Sequence, residues 1–380
     1  MRICIIVRIL WPGGVQRIAF AEAEGLKKLG NDVDLIFIRS TKRYIYNSNE
    51  DYKVIYNEEI NKRILGRILR RITMYHLPQR GEEATVDIDL IYRVEHRIKE
   101  KYDVIYYFDE FSAFFQNHNR KKFGNKSVVL INEVATLGKS KLAKFVQWWA
   151  IRYADIILTI SAENLKLLRE VGVSNSYEVY PGLMPHKDVP DFHEREDIAL
   201  SVTMWDYGRK PEVILKIAKS MKHGKIIIAG SWTDYKYMDN IIKSITSNNL
   251  GDKIIVTGPI DESDLIVLYK KAKVSIRFGY DEKGPGMGSL ESMSWGLPLI
   301  INHGIGIKEI VKDGVNGYIV DENNPNRVAD LINDLFCDDK KWSTISNQNL
   351  SLVDDLSWDK HCAKLKYNLR FPAIIPHGYR

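Results

Sequence analysis

Residues 273–301 constrain the fold more than any other part of the chain, because a strand, a glycine-rich loop, a helix and a second strand follow one another within that single stretch. Val274, Ile276 and Phe278 alternate as a half-buried strand does, and Gly284, Gly286 and Gly288 then let the backbone bend tightly at low steric cost. A helix is predicted from about Gly288. Its first N–H groups lack partners within the helix and, with the positive end of the helix dipole, form a ready site for a phosphate. That makes Gly286, Met287, Gly288 and Ser289 candidate binding residues. Glu291 falls about one turn in, placed to accept hydrogen bonds from the hydroxyls of a ligand whose phosphates sit on the helix start. On these residues alone, a loop that merely turns the chain is the alternative.

The rest of the chain alternates in the same way. The N-terminal run to Leu10 predicts a strand, and Ala19, Ala23, Leu26 and Leu29 fall at helical spacing before Gly30 ends the helix. Gly13 and Gly14 lie between them, where a pair of glycines lets a helix start approach a ligand closely; a plain turn fits the spacing equally well. No Gly-x-Gly-x-x-Gly fingerprint follows, which argues against a nicotinamide or flavin enzyme. Further strands are predicted at 103–108, 127–132 and 155–160, implying a parallel sheet covered on both faces. Ligands bind such sheets at the C-terminal strand ends, where Asp109, Glu110, Asn132 and Glu133 stand. A carboxylate there serves as a hydrogen-bonding group or a base, or is simply a solvated loop acid. A proline- and charge-rich linker puts a domain boundary near 188, giving an N-terminal domain over 1–187, a second over 188–355 and a terminal helix over 356–380. In the second domain Arg209 and Lys210 sit between a strand and a helix.

Gly284-Pro285-Gly286, Leu290-Glu291-Ser292-Met293 and Gly296-Leu297-Pro298 together resemble the donor-site signature of the glycogen-synthase-like retaining glycosyltransferases, family 4 above all. The resemblance implies a GT-B fold: two doubly wound Rossmann-like domains facing across a cleft, with a C-terminal helix beginning at Ser357-Trp358 that crosses back to the N-terminal domain. It implies a nucleoside-diphosphate sugar as donor substrate, with no prosthetic group. Lys210 and Arg209 would grip the diphosphate and Glu291 the ribose, with Gly13 and Gly14 on the opposite side; Ile260 or Trp232 would frame the base. The family's other glutamate, which works at the sugar, falls at Lys283 in this chain, with Glu282 one place before it. The histidine that often lies near the reacting sugar is replaced by Asn132-Glu133. Glu282, Lys283, Glu133 and Asp109 are thus the catalytic candidates. No metal is required where cationic side chains and a helix dipole meet the charge of the diphosphate.

The net charge of +6 belongs to the first half, with roughly 29 basic against 22 acidic side chains in residues 1–185. No nucleic-acid-binding motif accompanies it, so anionic lipid headgroups are the expected partner. Two basic amphipathic stretches, 59–76 and 139–152, suit contact with an anionic membrane surface, although a helix docked on its own sheet has the same pattern. The acceptor expected is therefore a lipid-linked or membrane-associated glycan. Cys4, Cys337 and Cys362 have no metal-ligand or framework spacing, which favours reduced thiols in the cytoplasm, with the protein peripheral at the inner face of the membrane. Two further classes fit the sequence: a catalytically impaired subunit that binds a nucleotide sugar, and an epimerase of such sugars on the same fold.

Overall fold

The computed structural model describes residues 1–10, 13–40, 52–56, 88–98, 101–134, 141–280 and 282–370. The chain divides into two compact units, Met1–Pro181 with Trp358–Arg380, and Gly182–Ser357. The division falls at 181/182, ahead of the linker near 188, because Leu183 already pairs with Ser357 in the second unit.

The first unit runs β1 (Arg2–Leu10), α1 (Gly14–Lys28), β2 (Asp32–Ser40), β3 (Tyr52–Tyr56), α2 (Ile88–Arg97), β4 (Val104–Tyr107), α3 (Asn117–Phe123), β5 (Lys126–Ile131), α4 (Lys141–Tyr153), β6 (Ile156–Thr159), α5 (Ala162–Glu170) and β7 (Ser176–Glu178). Its seven strands lie in the order β3-β2-β1-β4-β5-β6-β7, and every pairing is parallel. Helices cover both faces, so strands such as β4 and β6 are buried throughout and read as continuous apolar runs.

The second unit runs β8 (Glu196–Val202), α6 (Pro211–Ser220), β9 (Lys225–Ala229), α7 (Tyr235–Ser247), β10 (Ile254–Gly258), α8 (Glu262–Lys271), β11 (Ala272–Arg277), α9 (Met287–Ser294), β12 (Leu299–Asn302), β13 (Gly317–Val320), α10 (Pro325–Cys337) and α11 (Asp339–Asp355). Its order is β10-β9-β8-β11-β12-β13, again parallel throughout. In both sheets the strand order reverses beside the first strand, between β1 and β4 and between β8 and β11. Such a switch point opens a crevice at the C-terminal strand ends, which is where doubly wound sheets take ligands.

One expectation is corrected. β11 is not half-buried: all six of its residues are buried, because it lies mid-sheet beneath helices on both faces. The polar side chains of Lys273 and Ser275 are satisfied internally. Lys273 Nζ reaches Asp197 Oδ1 at 2.7 Å and the Phe336 carbonyl at 3.0 Å, and Ser275 Oγ meets Ser292 Oγ at 2.8 Å.

A last helix, α12 (Trp358–Arg370), belongs to the first unit and packs on α1. A Cβ on Gly25 would lie 2.3 Å from Cys362 Sγ, so the absence of a side chain there is what lets the two helices close. Buried His361 joins the Tyr180 carbonyl (Nδ1, 2.6 Å) to Glu22 Oε1 (Nε2, 2.8 Å).

Candidate functional site

In the second unit the chain leaves β8 and enters a 3-10 turn, Tyr207–Arg209, fixed by the Asp206 carboxylate accepting from Gly208 N at 2.8 Å. Lys210 then caps α6 in the left-handed conformation, φ 49°, with Pro211 at the first helical position. A lysine there stores backbone strain on the order of 1 kcal/mol, which the turn and helix must hold in place. The side chain is 8% exposed, its Nζ hydrogen-bonded to Glu322 beyond β13 and 3.0 Å from the centre of the Tyr280 ring. Burial works to raise the Glu322 carboxyl, but hydrogen bonds from Lys210 and Asn302 outweigh it and hold the group below the usual carboxylate range.

The glycine loop closes the other side of this switch point. Asn302 pins Gly279 by accepting from its N–H (3.2 Å) and donating to its carbonyl (2.9 Å). Glu282 N donates to the Gly304 carbonyl at 3.1 Å, which sets the Glu282 carboxylate between two guanidiniums. Arg209 Nη1 lies 2.5 Å from Oε2, and Arg277 Nη2 lies 2.9 Å from Oε2 and 3.2 Å from Oε1. Burial pushes the Arg277 guanidinium down to about 10 despite the attraction of Glu282. Gly286, φ 69°, caps α9, and a Cβ there would come 3.4 Å from Glu282 Oε1. On Gly288 a Cβ would strike the Val202 carbonyl at 2.6 Å, so this glycine lets the start of α9 dock on the end of β8. Met287 opens the helix, and Ser289 is buried in its first turn, its Oγ without a hydrogen-bond partner among the described residues. One turn in, Glu291 Oε2 accepts from the Tyr269 hydroxyl at 3.0 Å.

At the corresponding place in the first unit the chemistry is reversed. Arg8 near the end of β1 meets Asp109 after β4, Nε to Oδ2 at 3.0 Å, and the Ser112 N–H donates to Asp109 Oδ1 at 2.5 Å. Half-buried Glu110 follows, its carboxyl pushed up to about 7 by burial and by Asp109, with Glu133 adding to the repulsion and Arg8 opposing it. Glu133 is half-buried after β5, its carbonyl accepting from Gln147 Nε2 at 2.9 Å, while Asn132 donates to the Phe108 carbonyl at 3.2 Å. Gly13 caps α1 with extended backbone and Gly14 begins the helix.

The structure thus gathers Arg209, Lys210, Glu282, Gly286, Met287, Gly288, Ser289 and Glu291 around the β8/β11 switch point, with Lys283 half-buried beside Glu282. Asp109 and Glu133 stand at the first unit's strand ends. Sequence reasoning missed Arg277, Glu322, Tyr269 and Tyr280. A charged residue closing a buried strand was the available signal for Arg277; the others pair across long separations and left none. Trp232 is corrected as a base-framing residue, since it is 4% exposed and stacked on Trp205 within the core. Stretch 59–76 lies outside the described residues, as do 135–140. On α4, Phe145 and Trp148 are exposed, while Trp149 Nε1 donates to the Phe114 carbonyl at 3.0 Å. Among the described residues no helix is long and apolar enough to cross a membrane.

Residues 184–350 match the family described as glycosyl transferases group 1. A poly(glycerol-phosphate) alpha-glucosyltransferase of Bacillus subtilis is 26% identical over 142 residues, 37% of this chain and 20% of the relative. A D-inositol 3-phosphate glycosyltransferase of Mycolicibacterium smegmatis is 22% identical over 152 residues, 40% of this chain and 34% of the relative. The chain thus spans between a fifth and about a third of the length of these curated relatives. Among solved structures, Anabaena Alr3699/HepE in complex with UDP and glucose superimposes with a TM-score of 0.77 at 15% identity, covering 97% of this chain and 99% of that one. Sucrose-phosphate synthase from Thermosynechococcus elongatus gives 0.73 at 17% identity, covering 97% and 98%. The fold is GT-B, with two parallel-sheet Rossmann-like domains.

Proposed function

We propose that this protein transfers a sugar, most simply a hexose, from a nucleoside-diphosphate sugar to an acceptor hydroxyl with retention at the anomeric carbon. The observation that carries the reading is the convergence of Arg209, Lys210 and the start of α9 on one switch point, inside the stretch that matches the glycosyl transferase group. In the reaction the bond from the anomeric carbon to the diphosphate oxygen breaks, the acceptor oxygen bonds to that carbon on the same face, and the acceptor proton passes to the departing phosphate. Lys210, Arg209, the Gly288 amide and the Ser289 hydroxyl stabilise the charge that grows on the leaving oxygen. Glu291 holds the ribose, and Glu282 and Lys283 adjoin the sugar. Asp109 and Glu133, from the first unit, would orient the acceptor hydroxyl, beside Gly13 and Gly14. The solved neighbour holding UDP supports a uridine donor, and GDP is the next to try. A lipid-linked or membrane-associated glycan is the acceptor we favour, on the basic N-terminal half and the exposed Phe145 and Trp148.

The test incubates the protein with UDP- and GDP-sugars and resolves the products. Release of nucleoside diphosphate with transfer to an acceptor, or slow hydrolysis without one, is expected. An intact, altered nucleotide sugar would identify an epimerase. A donor that binds and is never consumed would identify the non-catalytic subunit, a reading favoured by one feature, the engagement of Glu282 by two arginines.

A further inference from the structure

The cation cluster at the β8/β11 switch point contains more positive charge than Arg209 and Lys210 alone. Arg277, at the end of β11, is 5% exposed, and its Nη1 has no hydrogen-bond partner among the described residues. Arg209 Nε and Ser289 Oγ are likewise buried and unpartnered. Three buried donors beside one helix start are an unusual concentration, because an unmatched buried donor is costly and native proteins rarely keep several together. Among the described residues the anion that contacts both guanidiniums is Glu282, at 2.5 to 3.2 Å, with Asp206 also acting on Arg277 electrostatically. Arg209 is 22% exposed at its side chain, and Glu282 is held more loosely than Arg277. Its side chain is 18% exposed against 6% for Arg277, and it stands on the glycine loop, whereas Arg277 is fixed in the sheet. The loop also leaves room beside it, for a Cβ on Gly286 would be 3.4 Å from Glu282 Oε1, 3.9 Å from Ser289 Oγ and 4.0 Å from Arg277 Nη2.

Resting on the donor reading above, we propose that Arg277 is a third cationic ligand for the donor's diphosphate, and that Glu282 is a resident counter-ion which that diphosphate displaces. A phosphate oxygen then takes the place of the Glu282 carboxylate against Arg209 and Arg277, with Ser289 Oγ donating to the same anion. Exchange of one anion for another keeps the buried guanidiniums compensated at every stage, which a site of bare arginines would not do. The same exchange frees the Glu282 carboxylate for the hydroxyls of the donor sugar. The pair thereby favours donors whose leaving group carries two phosphates over those with one, since a single phosphate held by Lys210 leaves Glu282 in place.

The experiment is calorimetric titration of UDP, UMP, GDP, ADP and inorganic pyrophosphate into the wild-type protein, Glu282→Gln, Arg277→Met and the double variant. The proposal expects Glu282→Gln to bind the preferred diphosphate about tenfold more tightly, because the competing anion is gone, and Arg277→Met to bind it about tenfold more weakly. In the double variant the gain from Glu282→Gln disappears, and the preference for UDP over UMP narrows in every Arg277 variant. If Glu282→Gln does not fold, Arg277→Met alone still decides, since binding equal to wild type in a folded sample overturns the proposal. Unchanged or weaker binding by folded Glu282→Gln, with wild type binding normally, overturns the counter-ion role while leaving the donor reading intact. No binding by either protein overturns both.

Discussion

The two units share a strand order over six strands, to which the first adds β7, and the same crevice, yet they fill it with opposite charge. At the β8/β11 switch point Arg209, Lys210 and Arg277 face Glu282 and Glu322 beside a helix start. At the β1/β4 switch point Asp109 and Glu133 raise the Glu110 carboxyl, and Arg8 pairs with Asp109 and opposes that rise. The sheet supplies the place, and the residues in the loops supply the chemistry. A cationic edge fits a diphosphate leaving group. A carboxylate edge repels phosphate and accepts hydrogen bonds from hydroxyls, as the proposed function asks of an acceptor site.

The comparison breaks first at Lys210. Lys210→Ala should lower kcat/KM by about 100- to 1,000-fold, the range for losing one preorganised charge at a leaving group. A steady-state assay giving a rate within about twofold of wild type would remove Lys210 from the donor site.

Next in size is a carboxyl of the first unit that lies away from its strand edge. Burial raises Glu95 to about 7, with hydrogen bonds from Tyr107 and Asn119 opposing. A carboxyl raised in the folded state binds its proton there more tightly than in the unfolded chain, so its contribution to stability is full below about 4.5 and is lost as pH rises towards 7. The melting temperature should therefore fall between pH 5 and pH 8, within about those limits of the raised range. Glu95→Gln should flatten that slope, removing a penalty on the order of 3 kcal/mol at pH 8. An unaltered slope would show that Glu95 does not titrate in this range. Glu110, which is more exposed, shifts in the same direction and should leave a smaller slope in the Glu95 variant.

The smallest effect separates the two edges from each other. Glu110→Gln should raise the KM for acceptor several-fold and leave nucleotide affinity unchanged. In the wild type, acceptor use should improve as pH rises through about 7, as the Glu110 carboxyl ionises. A parallel loss of nucleotide affinity in Glu110→Gln would contradict the division of labour.

The two crevices were not equally legible in the sequence. The glycine loop could be read because its signal is local: Gly286 and Gly288 are needed within three residues of each other, and Glu291 follows on the same helix. The partners that neutralise it come from elsewhere. Glu322 reaches Lys210 across 112 residues and Arg209 reaches Glu282 across 73, and no periodicity encodes such pairs. β11 misled because alternation suggested one solvated face, whereas Lys273, Ser275 and Arg277 are buried with their partners. In the first unit the strand ends placed Asp109 and Glu133 from sequence, but the raised carboxyl of Glu110 depends on neighbours from three strands and needed the fold.

The most direct test of the central claim, that the second unit's cationic switch point is a nucleotide-sugar site, is a thermal-shift screen against UDP, GDP, ADP and their sugar conjugates, in the wild type and in Glu291→Ala. A ligand bound only by the folded protein must raise the melting temperature. The account predicts a clear rise with one nucleotide family, strongest for the diphosphate and its sugar conjugate and reduced in Glu291→Ala. A well-folded protein whose melting temperature moves with none of them would contradict it.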